Sequence, residues 1–364
     1  MVEFDCLVIG QGLAGTALAW FLRWTGVRVL VVDREERITS SKIAAGLITP
    51  ITGQRLIKSW RFDDLWPAAE SFYRRVEIES GSLFFHQIPM ARLFSNSSEA
   101  EVFSERVMAA DFRRLIREPQ PPLDRSSFKS DHGEFEMTTS GQLNVIQYLA
   151  ASRNYFARDR GYLAADLDPE RDLKINEFGI DVPRIGVHAR HVIFCQGIDA
   201  IRNPWFRAVR FRPAKGEILT VRIPELLEKR VIHSGIWLAH VERDLDRVGS
   251  NYEWNQLDNV PTEKTREELV RRLTLFLRLP FEIIDQHAAI RPIHRNQYPV
   301  IGLHPDNERL GYFNGLGSKG TLQAPYFANL LTRVLLAHQG DYGRIAIDHE
   351  VDLNHRAELR GCHP

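Results

Sequence analysis

The sequence predicts an α/β chain in two parts, one built on a parallel, doubly wound sheet and one mostly antiparallel. Three observations carry that expectation. Residues 5–33 run as apolar strand, glycine-rich turn, helix and second apolar strand, the order of a βαβ unit in a parallel sheet. A further apolar run at 189–197 ends in glycine and suits a strand buried on both faces. After Pro213 come shorter runs at 217–221, 231–241 and 247–254, which read as antiparallel strands.

The opening stretch DCLVIGQGLAGTALAWFLRWTGVRVLVVD places Gly10, Gly12 and Gly15 between the first strand and its helix, which runs to about Trp24. Gly10 permits the tight turn, Gly12 lets backbone approach a pyrophosphate, and Gly15 lets the helix sit close on the sheet. Free N–H groups at the helix start, with the helix dipole behind them, favour phosphate. Asp33 follows 33 − 15 = 18 positions after the last glycine, where a carboxylate binds a ribose 2′-OH and disfavours a 2′-phosphate. The stretch points to a Rossmann-type domain holding an adenine dinucleotide, and leaves NAD and FAD both open.

At 364 residues, 44% of them hydrophobic, the chain suits two domains with large cores. Its 47 basic and 47 acidic residues balance, so no overall field recruits nucleic acid or an anionic membrane. Cys6, Cys195 and Cys362 are too few and too scattered for a disulfide framework or a zinc site, and the 13 histidines form no H-E-x-x-H pair. The first strand begins at once and no apolar run reaches the length of a membrane span. The expectation is a cytoplasmic protein.

The remaining elements follow in order. Residues 37–60 are rich in small residues without helical or alternating period, and suit backbone laid against a flat ring. A helix is predicted over 62–79, with Leu65, Phe72 and Val76 inward. Residues 83–94 read as a strand whose Pro89 marks an edge or bend, and residues 99–130 as a loop-rich surface insertion. Helices are predicted over 143–156 and 262–279, the second with Leu269, Leu273 and Leu277 apolar. The chain closes with a strand into LGYFNGLGSKG and a helix over 321–338.

Five segments then occur in one order: the opening G-Q-G-L-A-G with Asp33, A-A-G-L-x-x-P at 44–50, V-G-S-N-Y-E-W at 248–254, I-R-P-x-x-x-N-Q-Y-P-V-I-G at 290–302, and G-L-G-S-K-G-T-L-Q-A-P at 315–325. Together they resemble the FAD-dependent D-amino acid oxidase superfamily, on the branch with glycine oxidase, sarcosine oxidase and the oxidase domain of the tRNA wobble-uridine modification enzyme. The resemblance implies FAD and two discontinuous domains. Residues 1–75, 140–210 and 285–364 would hold FAD, and 76–139 with 211–284 would form the substrate domain. It also implies hydride transfer from a small amine or amino acid to the flavin, giving an imine, then a carbonyl compound, with oxygen reduced to hydrogen peroxide.

The implied cofactor contacts are Gly10, Gly12, Leu13, Ala14 and Gly15 in the first turn, Asp33 and Arg34 after the second strand, and Ser41, Ala45, Gly46 and Leu47 beyond it. Gly197 and the loop Gly315, Gly317, Ser318, Lys319, Gly320 and Thr321 complete the set. The loop leads into the last helix, whose free N–H groups make a positive pole for the flavin pyrimidine edge. Lys319 either adds charge there or is solvated.

Two departures from sarcosine oxidases stand out. Arg291 occupies the place of their flavin-linking cysteine, so FAD is expected to be non-covalent, and Leu322 replaces a lysine that holds substrate carboxylate. The catalytic candidates are Arg291, Arg247 and Tyr252. Arg291 resembles the carboxylate-binding arginine of glycine oxidase; its bland alternative is a salt bridge to Glu217 or Glu253. Arg247 stands where sarcosine oxidases have a lysine linked to oxygen activation, or is a solvated strand charge. Tyr252 and Trp254 would wall the side-chain pocket, with Arg55 and Lys58 as secondary anchors. Two rival readings keep the cofactor: oxidation of a modified tRNA uridine, against which the balanced charge weighs, and a redox-silent FAD-binding subunit.

Overall fold

The computed structural model describes residues 1–338; Cys362 and the last part of the segment expected over 285–364 lie outside the described residues. One eight-stranded sheet carries the parallel core, with Tyr162–Ala164, Val29–Asp33, Val2–Ile9 and Val187–Phe194 side by side in that order. Asn307–Asn314 joins Val187–Phe194 in parallel, and Val300–His304 turns back along it. Where both faces are covered, the strands run apolar at successive positions, as in Cys6–Ile9 and Val29–Val32. Cys6, Val8, Val29 and Val31 enter one core, while Leu7, Ile9, Leu30 and Val32 enter the other.

The first core is closed by four helices: Leu13–Trp24, Phe62–Ser80, Val145–Ala157 and Gly320–His338. Leu13–Trp24 is rich in alanine and leucine, and it stops where Gly26 takes a left-handed φ of +82°. Trp20 is fully buried on it and donates its indole N–H to Ser152 Oγ at 2.9 Å, which satisfies the ring's one polar atom. Val145–Ala157 is capped by Asn144, whose side chain accepts from Gln147 N.

A second eight-stranded sheet runs in the order Glu282–Arg291, Ala214–Arg222, Leu245–Gly249, Ile236–Glu242, Val231–Ser234, Met90–Leu93, Glu134–Met137 and Ile116–Arg117. Its pairs are antiparallel except Val231–Ser234 with Met90–Leu93. One face packs on the helix Glu263–Thr274 through Leu219, Ile232, Leu238, Leu269 and Leu273. The alternate residues, among them Ile218, Val231, His233 and Trp237, face a cavity. A small sheet of Leu47–Ile48, Gly141–Leu143 and Phe85–Gln87 accompanies the two large ones.

The sequence expectations are corrected at five places. The run 231–241 is a hairpin, because Gly235 at φ +69° reverses the chain between two strands. The run 83–94 splits at Ile88–Pro89, and its halves join different sheets. Residues 99–130 are not only loop, since Ser97–Arg106 is a helix capped by Asn96. The strand expected over 247–254 ends at Gly249, so Tyr252 and Trp254 stand on a loop. Residues 37–60 contain a short helix, Ser40–Ile43, and short paired strands. The boundary expected at 285 falls inside Glu282–Arg291, which pairs along its length with Ala214–Arg222. Among the described residues no helix is long and apolar enough to cross a membrane.

Candidate functional site

A cavity of about 880 Å³ begins at the glycine turn and extends to the second sheet, within the size range of small-molecule and cofactor sites. Gly10, at φ +106°, lies so close to the neighbouring strand that a Cβ would meet Cys195 O at 2.4 Å. A Cβ on Gly15 would meet Gly10 O at 1.9 Å, so Gly15 acts through helix–strand packing and does not itself line the cavity. Gly12 lines it and has no side-chain cap.

Side chains already take two of the turn's N–H groups: Gln11 N donates to Asp33 Oδ2 at 2.7 Å and Leu13 N to Ser41 Oγ at 3.2 Å. Asp33 therefore braces the turn, and its second oxygen accepts from Glu35 N at 2.7 Å. Lone pairs remain for a ribose hydroxyl. The N–H groups of Ala14 and Gly15, in the first helical turn, have no partner among the described residues. Arg34 lines the cavity but pairs with Asp199 at 2.9 Å and Glu36 at 3.5 Å.

Ala45, Gly46 and Leu47 line the cavity beyond this turn. Gly46 has φ +71° and its Cβ would meet Leu143 O at 1.9 Å, so only glycine lets this backbone lie against Gly141–Leu143. Gly197 lines the cavity and accepts from Asn314 Nδ2 at 2.7 Å. The N-terminus of Gly320–His338 reaches the same space, with Gly317, Ser318, Lys319, Gly320 and Thr321 in the lining. Gly315 does not line it: its Cβ position packs on His294 and Tyr298, which corrects that expectation.

Lys319 is not solvated. It lines the cavity with Nζ 3.3 Å from Ser59 Oγ, and burial pushes its pKa down to about 8. Two helix N-termini, a cradle closed to side chains and a long cavity together fit a dinucleotide such as FAD.

At the second sheet the cavity meets Arg291. Its guanidinium donates to Ser250 Oγ at 2.8 Å and Asn251 O at 3.2 Å, and stands 4.5 Å from the Tyr252 ring centroid. The salt bridge considered to Glu217 or Glu253 does not form. Glu217 accepts from Thr262 and Gln286, and Glu253 from Asn255 N. Among the described residues no carboxylate pairs with Arg291, and burial pushes its pKa down.

Tyr252 lines the cavity while Trp254 stacks outside on it, ring centroids 5.9 Å apart. Arg247 shares a sheet face with Gly249 but lines a second, adjoining cavity of about 290 Å³, with Nη1 3.4 Å from Ala44 O, a residue of the larger cavity's wall. Arg55 is exposed and lines neither cavity, and Lys58 pairs with Asp63 at 2.5 Å. Leu322 is buried on the last helix, and Lys319, three positions earlier, brings the cation instead.

Several lining residues carried no local signal. His233 lines the cavity with Nδ1 shut off from solvent and unpartnered, and nearby Arg92, Arg272 and Lys319 add to burial in holding the ring neutral. Arg92 is neutralised by Glu99 in a buried pair and donates to Gly53 O. Gly216 was legible in principle, as a glycine inside a strand often marks a close approach. A Cβ there would lie 2.0 Å from Arg291 Nη2.

The chain was compared with known proteins. It is 23% identical over 356 residues to glycine oxidase of Bacillus licheniformis, covering 92% of this chain and 94% of that one. The crystal structure of glycine oxidase from Geobacillus kaustophilus superposes with a TM-score of 0.77 at 17% identity, over 96% of this chain and 97% of that one. Iminodiacetate oxidase from Chelativorans sp. BNC1 gives 0.74 at 17% identity, over 95% and 98%. The family model described as DAO, FAD dependent oxidoreductase, matches residues 5–334. That span takes in both large sheets and the whole cavity, and the chain belongs to this family of FAD-dependent oxidoreductases.

Proposed function

We propose that the protein oxidises the C–N bond of a small amino acid or N-substituted amino acid whose carboxylate rests on Arg291. The observation that carries this reading is a guanidinium at the cavity wall with two neutral acceptors and, among the described residues, no carboxylate. A buried cation without a counter-ion is costly, and a ligand carboxylate supplies the missing charge in the geometry an arginine fork favours. The oxidases of glycine and of iminodiacetate among the structural neighbours act on such carboxylates by name.

The first turn, with Gly10, Gly12 and Ala14, would hold the pyrophosphate, Asp33 the ribose, and residues 44–47 with Lys319 to Thr321 the ring. Among the described residues no cysteine partners Arg291, and Cys195, which lies at the glycine turn, has its thiol pushed well up by burial; we therefore read the FAD as non-covalent. When bound, FAD would supply the two-electron acceptor for a hydride from the substrate carbon, with oxygen as the final acceptor giving hydrogen peroxide. The chain's own residues fix the substrate: Arg291 holds the carboxylate, Tyr252 covers the guanidinium, and His233 stays neutral at the cavity wall. The imine formed is hydrolysed to a carbonyl compound.

We place the FAD domain at 1–75, 140–210 and the chain after Arg291, and the substrate domain at 76–139 and 211–291, keeping Glu282–Arg291 with its partner strand. Anaerobic addition of amino acids and of their decarboxylated amines tests the function. Bleaching by the acids alone supports it, and equal bleaching by both removes the anchor.

A further inference from the structure

The smaller cavity, of about 290 Å³, lies beside the larger one, and Gln11, Ile38, Lys42, Ile43 and Ile218 line both. Its charge is one-sided. Arg37, Lys42, Arg153, Arg247 and His287 line it, and no aspartate or glutamate does. Some of these cations are satisfied: Arg153 pairs with Glu35 at 3.0 Å, and Lys42 donates to Glu36 O. His287 stands 3.6 Å from Asp285, Arg37 is exposed to water, and Arg247 is half-buried. Neither arginine has a carboxylate partner among the described residues, and Arg247 makes a long contact to Ala44 O at 3.4 Å.

Burial has already taken much of the water from Arg247, and a partly desolvated guanidinium is rarely left without a counter-charge. The rest of the wall is apolar, made by Ile38, Ile43, Ile146, Leu149 and Ile218. Ile146 is 53% exposed although it belongs to a helix whose other large apolar residues are mostly buried. A solvated surface charge cluster has no need of such a lining. Apolar walls with a few convergent polar groups are the ordinary make-up of a ligand pocket, and this volume is at the small end of that range.

We propose that this cavity is a second binding site, for an amphipathic organic anion whose carboxylate, sulfonate or phosphate head meets Arg247 and Arg37 while a ring-sized apolar body lies on the isoleucines. The ligand is distinct from the substrate on Arg291, because Arg291 lines only the larger cavity.

Calorimetric titration of the FAD-loaded protein with naphthalene-1-sulfonate, inorganic sulfate and 1-naphthalenemethanol separates head from body. Naphthalene-1-sulfonate is expected to bind at least ten-fold more tightly than either fragment. Arg247→Gln should weaken it about ten- to a hundred-fold, as for loss of a charged hydrogen-bonding partner. Ile146→Glu, at an exposed position that should not disturb folding, should weaken it as well, and it decides the matter if Arg247→Gln fails to load FAD. Arg291→Lys should leave this binding unchanged. Equal affinity for the three probes, unchanged binding in Ile146→Glu, or loss of binding in Arg291→Lys would each overturn the proposal.

Discussion

Replacing Arg291 by lysine perturbs the candidate carboxylate anchor while keeping its charge. The guanidinium is held from one side by Ser250 Oγ and Asn251 O, and the Tyr252 ring lies 4.5 Å away. Lysine keeps the charge but loses the planar two-point fork. The loss expected for one charged hydrogen bond is about 2–3 kcal/mol, which is roughly 30- to 150-fold in affinity. A second perturbation reaches the same group without altering it. A Cβ at Gly216 would stand 2.0–2.2 Å from three guanidinium atoms, so Gly216→Ala must push the Arg291 head out of place. Titration of the FAD-loaded protein with acetate and propanoate, followed by flavin absorbance, reads both variants through their Kd values. Both should bind carboxylates more weakly, with FAD content unchanged. Wild-type affinity in Arg291→Lys and Gly216→Ala together would refute the anchor.

Gly12→Val should abolish FAD loading, since a Cβ there would lie 3.0 Å from Ser41 Oγ and the added methyls fill the approach to the turn; flavin per protein in purified material checks this. Acid precipitation of the wild-type protein should release all of its flavin, and colour kept on the washed pellet would contradict the non-covalent assignment. In cofactor-free protein Lys319 titrates near 8 against an ordinary 10.5, so the unfolded chain binds more protons between those values. Stability should therefore rise as pH goes from about 8 to about 10.5, and Lys319→Met should remove that part of the slope in denaturant melts. Glu99→Ala leaves the buried Arg92 without its partner, and should cost about 3–5 kcal/mol of stability in the same assay.

The βαβ opening was legible because three local signals agree there: continuous apolar strands, glycines at turn positions, and an acid at the second strand's end. The last helix and its glycine loop were legible for the same reason. What failed needed information from across the fold. The hairpin at Gly235 had a local signal in the pair Ser234–Gly235 between two apolar runs, but a one-residue turn leaves little polar sequence to mark it. The helix Ser97–Arg106 buries only Glu99 fully among its residues, so no apolar stripe announced it. Arg247 was read toward the flavin, and it does share a sheet face with Gly249, two positions on; that its side chain ends in the adjoining smaller cavity depends on neighbours distant in sequence. His233, Arg92 and Gly216 reach one cavity from three strands separated in sequence, and nothing local marks them as neighbours.

The central claim is that this cavity oxidises a carboxylate-bearing amine with FAD. The most direct measurement is the visible spectrum of the FAD-loaded protein, kept anaerobic, while small α-amino and N-substituted amino acids are added beside their decarboxylated amines. The structure predicts bleaching of the flavin band by at least one of the acids, no bleaching by the matching amine, and return of the band on admitting air. A flavin that dithionite bleaches but no amino acid in the panel does, or one that the decarboxylated amines bleach equally fast, would contradict it.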